Sequence, residues 1–229
     1  MRILAVSLDL DDTLWPVDPA IRNAELRLDE WLLREHPAVG AKWPVAAMRE
    51  LRDAISLERP DLAHDFTAQR LLTLERAFGE CGMDAQHVEA AFEVYYAARN
   101  AVECYADALP ALAALSSRVP LISISNGNAD LQRIGLRQHF RACISSRDIG
   151  YAKPHARIFE AACKELGVAA ENVLHVGDDP ELDVGGARSA GLRTAWLNRT
   201  GAAWSHGAAP DLVIGDLNEL AAWLLTRAA

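Results

Sequence analysis

Residues 8–15 read LDLDDTLW, Leu8 to Trp15, and they close an apolar run that begins near Arg2. The run has the length of a short buried strand, and Asp9 ends it. Asp9, Asp11 and Asp12 put three carboxylates into four positions. Like charges this close repel, and the crowding costs stability unless something positive comes to it. What that partner is must be read from the rest of the chain.

Immediately after Trp15 the texture changes. Helical periodicity runs from residue 19 to about 102 without a convincing strand. The spacing predicts helices over 19–34, 45–57, 66–78 and 85–101, with Cys81-Gly82 closing the third and Asp84 placed as N-cap of the fourth. Strands and helices alternate from there on. Strands are predicted at 119–124, 142–145, 173–176, 194–197 and 212–214, with helices at 108–117, 156–166, up to 190, and 217–225. That alternation implies a parallel sheet covered on both faces. The fold expected is therefore an α/β core, interrupted just after its first strand by an all-helical insert. The boundaries expected are 1–15 and 104–229 for the core and 16–103 for the insert.

Composition narrows the function. The chain has 229 residues and a net charge of −9, with no cluster of Lys and Arg, which argues against a nucleic-acid partner. The insert holds 16 Asp and Glu against 10 Lys and Arg. MRILAVSLDLDD has too short an apolar run for a secretory leader, and no stretch has the length of a membrane span. Cys81, Cys104, Cys143 and Cys163 are scattered without a CxxC or a Cys/His cluster, as expected of reduced core thiols in a cytoplasmic protein rather than a zinc site. The expected state is a monomer or weak homodimer.

Polar groups recur at one kind of place, at or just after the end of a predicted strand. They are Asp9-x-Asp11, Ser125-Asn126-Gly127, Lys153, and Asp178 with Asp183. In an open parallel sheet, ligands bind in the crevice beyond the carboxyl ends of the strands. The positive partner of the opening stretch is then a divalent cation among Asp9, Asp11 and Asp178, most simply Mg2+, with Lys153 adding a second positive charge. Such a set suits phosphoryl transfer on a small phosphorylated metabolite. Asp9 is the candidate nucleophile, and Asp11, two residues along an extended segment, is the acid and base. Ser125, Asn126, Gly127 and Lys153 would hold phosphoryl oxygens, joined by Asp12 unless that residue is simply a turn former. Thr13 braces the loop. Asp183 backs the cation through water or orients Lys153, and Asp179 is either a supporting ligand or a cap. Trp15 is the aromatic placed to reach the substrate. Trp31, Trp43, Tyr95 and Tyr96 are expected in the core of the insert. The seven histidines show no ligand spacing and receive no role.

DLDDT, ISN, YAKP and GDDPELD, in that order, resemble the four motifs of the haloacid dehalogenase-like hydrolase superfamily. The resemblance implies a Rossmann-like, doubly wound core, a Mg2+-dependent phosphatase mechanism and a mobile helical cap formed by the insert. It assigns the nucleophile to Asp9, the acid/base to Asp11, phosphate binding to Ser125, charge stabilisation to Lys153 and metal binding to Asp178. It makes the carbonyl of Asp11, rather than its side chain, the metal contact. LDLDDTLW, AHDFTAQR, SNGNADL and NVLHVGDDPELDVGGA look like bacterial flavin mononucleotide phosphatases that also act on 5-amino-6-(5-phosphoribitylamino)uracil. Two other chemistries compete. A dehalogenase of the same fold attacks carbon with its Asp and needs no metal, but Asp11 would repel a haloacid's own carboxylate. A phosphoacceptor switch uses a similar Asp, Ser/Thr and Lys set, but lacks both the helical insert and an acid/base two residues after the nucleophile.

Overall fold

The computed structural model describes residues 2–227. Its first strand, β1 (Ala5–Leu8), is buried along its whole length. The strand is shorter than the apolar run, because Arg2 to Leu4 precede the sheet pairing. Five further strands follow: β2 (Leu121–Ser125), β3 (Ala142–Ser145), β4 (Val173–Gly177), β5 (Arg193–Leu197) and β6 (Leu212–Ile214). They form one sheet in the order β3-β2-β1-β4-β5-β6, and every pairing is parallel. Burial on both faces explains why β1, β2, β4 and β5 read as near-continuous apolar runs and not as alternation.

The order reverses at β1, which lies between β2 and β4. Such a reversal opens a crevice at the carboxyl edge, where loops leaving neighbouring strands part to opposite faces. Register places the loops after β1, β2 and β4 at that edge. Leu8 pairs with Ser123 on one side and Val176 on the other, and Asp9 N–H donates to Val176 O at 2.9 Å.

Two compact units emerge, one of residues 1–16, 103–127 and 135–229, the other of 17–102 and 128–134. The first carries the sheet, with helices α6 (Ala108–Ser116), α8 (Ser146–Ile149), α9 (Ala156–Leu166), α10 (Gly186–Ser189) and α11 (Leu217–Arg227). Ile158, Phe159, Ala162 and Leu166 of α9 bury against Ile122, Ile124 and Val173 of the sheet. The second unit consists of α1 (Val17–Glu35), α2 (Pro37–Lys42), α3 (Val45–Glu58), α4 (Phe66–Gly79), α5 (Val88–Arg99) and the short α7 (Leu131–Ile134). Its own core runs from Leu28 and Leu32 through Met48 and Ile55 to Leu74, Phe78 and Tyr95, with Trp31 and Trp43 packed on the edge. Buried Glu25 accepts from exposed Arg49 at 2.5 Å, and buried Arg70 stacks on the Tyr95 ring at 4.2 Å. No helix among the described residues is long and apolar enough to cross a membrane.

The structure departs from the sequence expectation at several points. Residues 128–134 belong to the helical unit, not the core, because Asp130 N–H donates to Asn100 Oδ1 at 2.7 Å and Arg133 pairs with Glu93. Asp84 makes no side-chain cap, since a 3-10 turn at Ala85–His87 intervenes before α5. Asp65 does cap in this unit, accepting from Ala68 N–H at 2.9 Å ahead of α4. The cysteines are free but not core, with Cys143 exposed on the edge strand β3 and the others half-buried.

Candidate functional site

Lys153 is the hub of the carboxyl edge. Its ammonium donates to Asp9 Oδ1 at 2.5 Å and to Asp183 Oδ1 at 2.6 Å, and all three side chains are buried. Burial alone would neutralise the lysine, but the carboxylates of Asp183 and Asp9 outweigh it and raise the amine above its ordinary range. Asn126 holds the lysine's backbone at both ends: its Oδ1 accepts from Lys153 N–H at 2.7 Å and its Nδ2 donates to Lys153 O at 3.0 Å. These two bonds use the Asn126 amide oxygen and one of its two amide hydrogens on Lys153. Ser125 is buried at the end of β2, and its Oγ accepts from Gly127 N–H at 2.9 Å.

Asp183 reaches Lys153 because the chain turns back after β4. A π-helical turn, Pro180–Gly185, carries it there, capped by Asp179, whose Oδ1 accepts from Glu181 and Leu182 N–H at 2.7 and 2.8 Å. Asp179 is thus the cap of that turn. Its own N–H donates to Asp183 Oδ2 at 3.1 Å. Gly177 makes the approach possible: a Cβ there would fall on the Asp183 carboxylate. Burial pushes the Asp183 carboxyl up, but Lys153 and a hydrogen bond from His175 hold it well below the usual carboxylate range.

Asp9 and Asp178 share the hydroxyl of Thr13, which lies 3.5 Å from Asp9 Oδ2 and 3.2 Å from Asp178 Oδ1. Burial raises the Asp9 carboxyl well above its ordinary value; Lys153 draws it back and the charges of Asp183 and Asp178 add to the rise. Asp178 is raised to about 7, first by burial and then by the charges of Asp183 and Asp12. Oxygens of Asp9, Asp178 and Asp183 lie within 4.8 Å of one another. One ammonium, paired with Asp9 and Asp183, stands against three clustered carboxylates, so the set is short of positive charge. An all-oxygen set of this kind suits a hard divalent cation such as Mg2+.

Asp11 stands apart from that set. Its Oδ1 accepts from the Trp15 indole N–H at 2.8 Å. Asp183, which the sequence reading placed behind the cation or against Lys153, is the third of the clustered carboxylates. Trp15 is wholly buried, which overturns the expectation that it reaches a substrate. It braces the loop from inside. Asp12 takes φ +59°, a left-handed turn that Asp tolerates better than most residues, and its N–H donates to Trp15 O at 2.7 Å.

Three contributors carried no sequence signal. His175 lies at the middle of β4 beside Ser7 and hydrogen-bonds Asp183 at 3.0 Å. Arg199 donates to Thr13 O at 2.9 Å while paired with Asp107, and so ties the loop after β1 to the segment after β5. Trp196 donates to Asp178 O at 2.9 Å. Each depends on strand register or a long-range return of the chain.

Comparison with known proteins fits this geometry. A family model described as haloacid dehalogenase-like hydrolase matches residues 3–191. The chain is 30% identical over 227 residues to the 5-amino-6-(5-phospho-D-ribitylamino)uracil phosphatase YigB of Escherichia coli, covering 96% of this chain and 95% of that one. It is 36% identical over 150 residues to a phosphoserine phosphatase of Thermus thermophilus, covering 63% of this chain and 60% of that one. Among solved structures, a 2-haloacid dehalogenase from Pseudomonas syringae pv. Tomato superimposes with a TM-score of 0.92 at 37% identity, covering 100% of both chains.

Proposed function

The chain belongs to the haloacid dehalogenase-like hydrolases, and from that premise we propose that it is a Mg2+-dependent phosphomonoester hydrolase working through an aspartyl-phosphate on Asp9. The observation that carries this reading is the carboxylate surplus. Lys153 pairs with Asp9 and Asp183, Asp178 clusters with them, and a divalent cation would restore the balance. When bound, Mg2+ would neutralise charge on the carboxylates and on the transferring phosphoryl group.

The residues then divide the work. Lys153 holds one oxygen of Asp9 and leaves the other to attack phosphorus. As the ester bond breaks, Asp11 gives its proton to the leaving oxygen. It next takes a proton from the water that attacks the aspartyl-phosphate, and Asp9 leaves as carboxylate. Trp15 fixes the Asp11 carboxylate through Oδ1 and so sets the direction of its other oxygen. Ser125 receives a phosphoryl oxygen, and Asp178 holds the cation beside Thr13.

The structural likeness to a protein titled a 2-haloacid dehalogenase favours a second reading, carbon–halogen hydrolysis by Asp9 without metal. Against it stand Asp11, whose charge opposes a carboxylate-bearing substrate, and the surplus of buried carboxylates. The likeness to YigB along nearly the whole chain supports 5-amino-6-(5-phospho-D-ribitylamino)uracil as substrate, and the motif resemblance to flavin mononucleotide phosphatases adds FMN. The net charge of −9 disfavours polyphosphates. The test compares kcat/KM for both compounds with ribose 5-phosphate, phosphoglycolate and a nucleoside monophosphate. A flavin-pathway compound should lead. A simple sugar phosphate or phosphoglycolate ahead of both by tenfold, about 1.4 kcal/mol of transition-state binding, refutes the substrate.

A further inference from the structure

Ser7 on β1 and His175 on β4 are paired in register across the sheet, so their side chains emerge side by side on one face. Both are buried. The imidazole Nδ1 lies 2.9 Å from Ser7 Oγ, and Nε2 lies 3.0 Å from Asp183 Oδ1. The ring is held at its edge by Phe159 of α9, with centroids 5.0 Å apart and planes at 83°. The same Asp183 oxygen grips the Lys153 ammonium at 2.6 Å.

These partners decide the tautomer. An ionised carboxylate only accepts hydrogen bonds, so Nε2 carries the proton. In the neutral ring, which burial favours, Nδ1 is then a lone pair, and the Ser7 hydroxyl donates to it. Asp183 receives N–H donors from His175 and Asp179 in addition to Lys153. A carboxylate with three donors on two oxygens has one orientation. We propose that His175 is a positioning residue: in its Nε2–H form, set by Ser7, it fixes Asp183 and thereby where the Lys153 ammonium stands against Asp9. His175 touches none of the reacting atoms. It acts three contacts away from Asp9, through a buried chain from Ser7 to Asp9 that crosses β1 and β4 and returns by the π-helical turn.

The kinetic consequence rests on the phosphatase reading; the tautomer does not. Lys153 faces the charge that develops on Asp9 and the phosphoryl group, so a displaced ammonium costs rate more than binding. The experiment takes His175→Leu and His175→Gln, checked for folding by thermal melting, through steady-state hydrolysis of p-nitrophenyl phosphate with Mg2+. Leucine should lower kcat by about tenfold or more with KM within about twofold. Glutamine, whose amide N–H can reach Asp183, should recover most of that loss. An unchanged kcat in the leucine variant, or equal losses in the two, overturns the proposal. Separately, long-range 1H–15N NMR of the metal-free wild-type protein should show His175 protonated at Nε2 and bare at Nδ1. A proton on Nδ1 overturns it whatever the kinetics. If the wild-type protein hydrolyses no phosphomonoester, the proposed function fails, and the NMR result alone decides the role of His175. If His175→Leu does not fold, glutamine and the spectrum carry the test.

Discussion

Asp178→Asn should stabilise the metal-free protein, and only above pH 4. The carboxyl of Asp178 is raised to about 7 by burial and by the charges of Asp183 and Asp12, against an ordinary value of 3.8. A group whose folded pKa lies above its unfolded one binds a proton in the folded state that the unfolded chain lacks. Between pH 4 and 7 stability therefore falls as pH rises, and above 7 the full cost is present. A shift of about three units at about 1.4 kcal/mol each sets an upper bound of about 4 kcal/mol. Asparagine keeps the shape and can still accept from Thr13 Oγ1, 3.2 Å away in the wild type, but it carries no charge. The variant's advantage in EDTA should be absent near pH 4, grow through pH 5.5 and 6.5, and level off above pH 7. At about 2–4 °C per kcal/mol for a chain of this size, the plateau is of the order of 10 °C in Tm or less. Saturating Mg2+ should cut that advantage sharply at pH 8. A ligand at 100 times its Kd adds about 2.7 kcal/mol to the wild type, and the variant gains far less. Differential scanning calorimetry of both proteins across this pH series, in EDTA and in Mg2+, makes the measurement. A metal-free variant no more stable than wild type at pH 8, or an advantage that grows as pH falls, refutes the placement of Asp178 as a cation-dependent carboxylate.

Asp11→Asn should lower kcat by roughly 100- to 10,000-fold in multiple-turnover assays, because leaving group and water both lose their proton partner; a near-normal rate would remove the acid/base role. Gly177→Ala should drive Asp183 off Lys153, since Asp183 Cβ alone lies only 2.7 Å from the added methyl. A loss of about 1–3 kcal/mol by denaturant melting is expected together with reduced kcat, and a variant that kept both stability and rate would contradict the geometry. Ca2+ should bind in place of Mg2+ and inhibit, because the larger ion takes more oxygen ligands and disturbs in-line attack; full activity in Ca2+ would argue against a tight octahedral site.

Much of this was legible in the sequence, for a physical reason. Buried parallel strands read as short apolar runs, and polar residues ending such runs have nowhere to go but the carboxyl edge. Asp9, Ser125 and Asp178 could be placed by that rule alone, and the insert by its change of period after Trp15. What escaped depended on contacts distant in the chain. Trp15 shows the ambiguity of an aromatic beside a charged loop: the same residue type serves as ligand platform or as buried brace, and only the Asp11 hydrogen bond decided for the brace. His175 looked like one more core residue, because its partners Ser7 and Asp183 arrive through strand register and a π-helical turn. Asn126 looked like a phosphate-loop residue, yet both ends of its amide go to the Lys153 peptide groups, which lie 27 positions away in the chain. Residues 128–134 read as core by position and pack with the helical unit through Asn100 and Glu93.

One measurement separates the two chemistries that this fold supports. The purified protein is given p-nitrophenyl phosphate and, in parallel, (S)-2-chloropropionate, each with Mg2+ and with EDTA, and both inorganic phosphate and chloride are quantified. A phosphotransfer site at Asp9 predicts phosphate release that requires Mg2+, is lost in Asp9→Asn, and is accompanied by no chloride in any arm. Chloride release that persists in EDTA, with no phosphate formed, would contradict it.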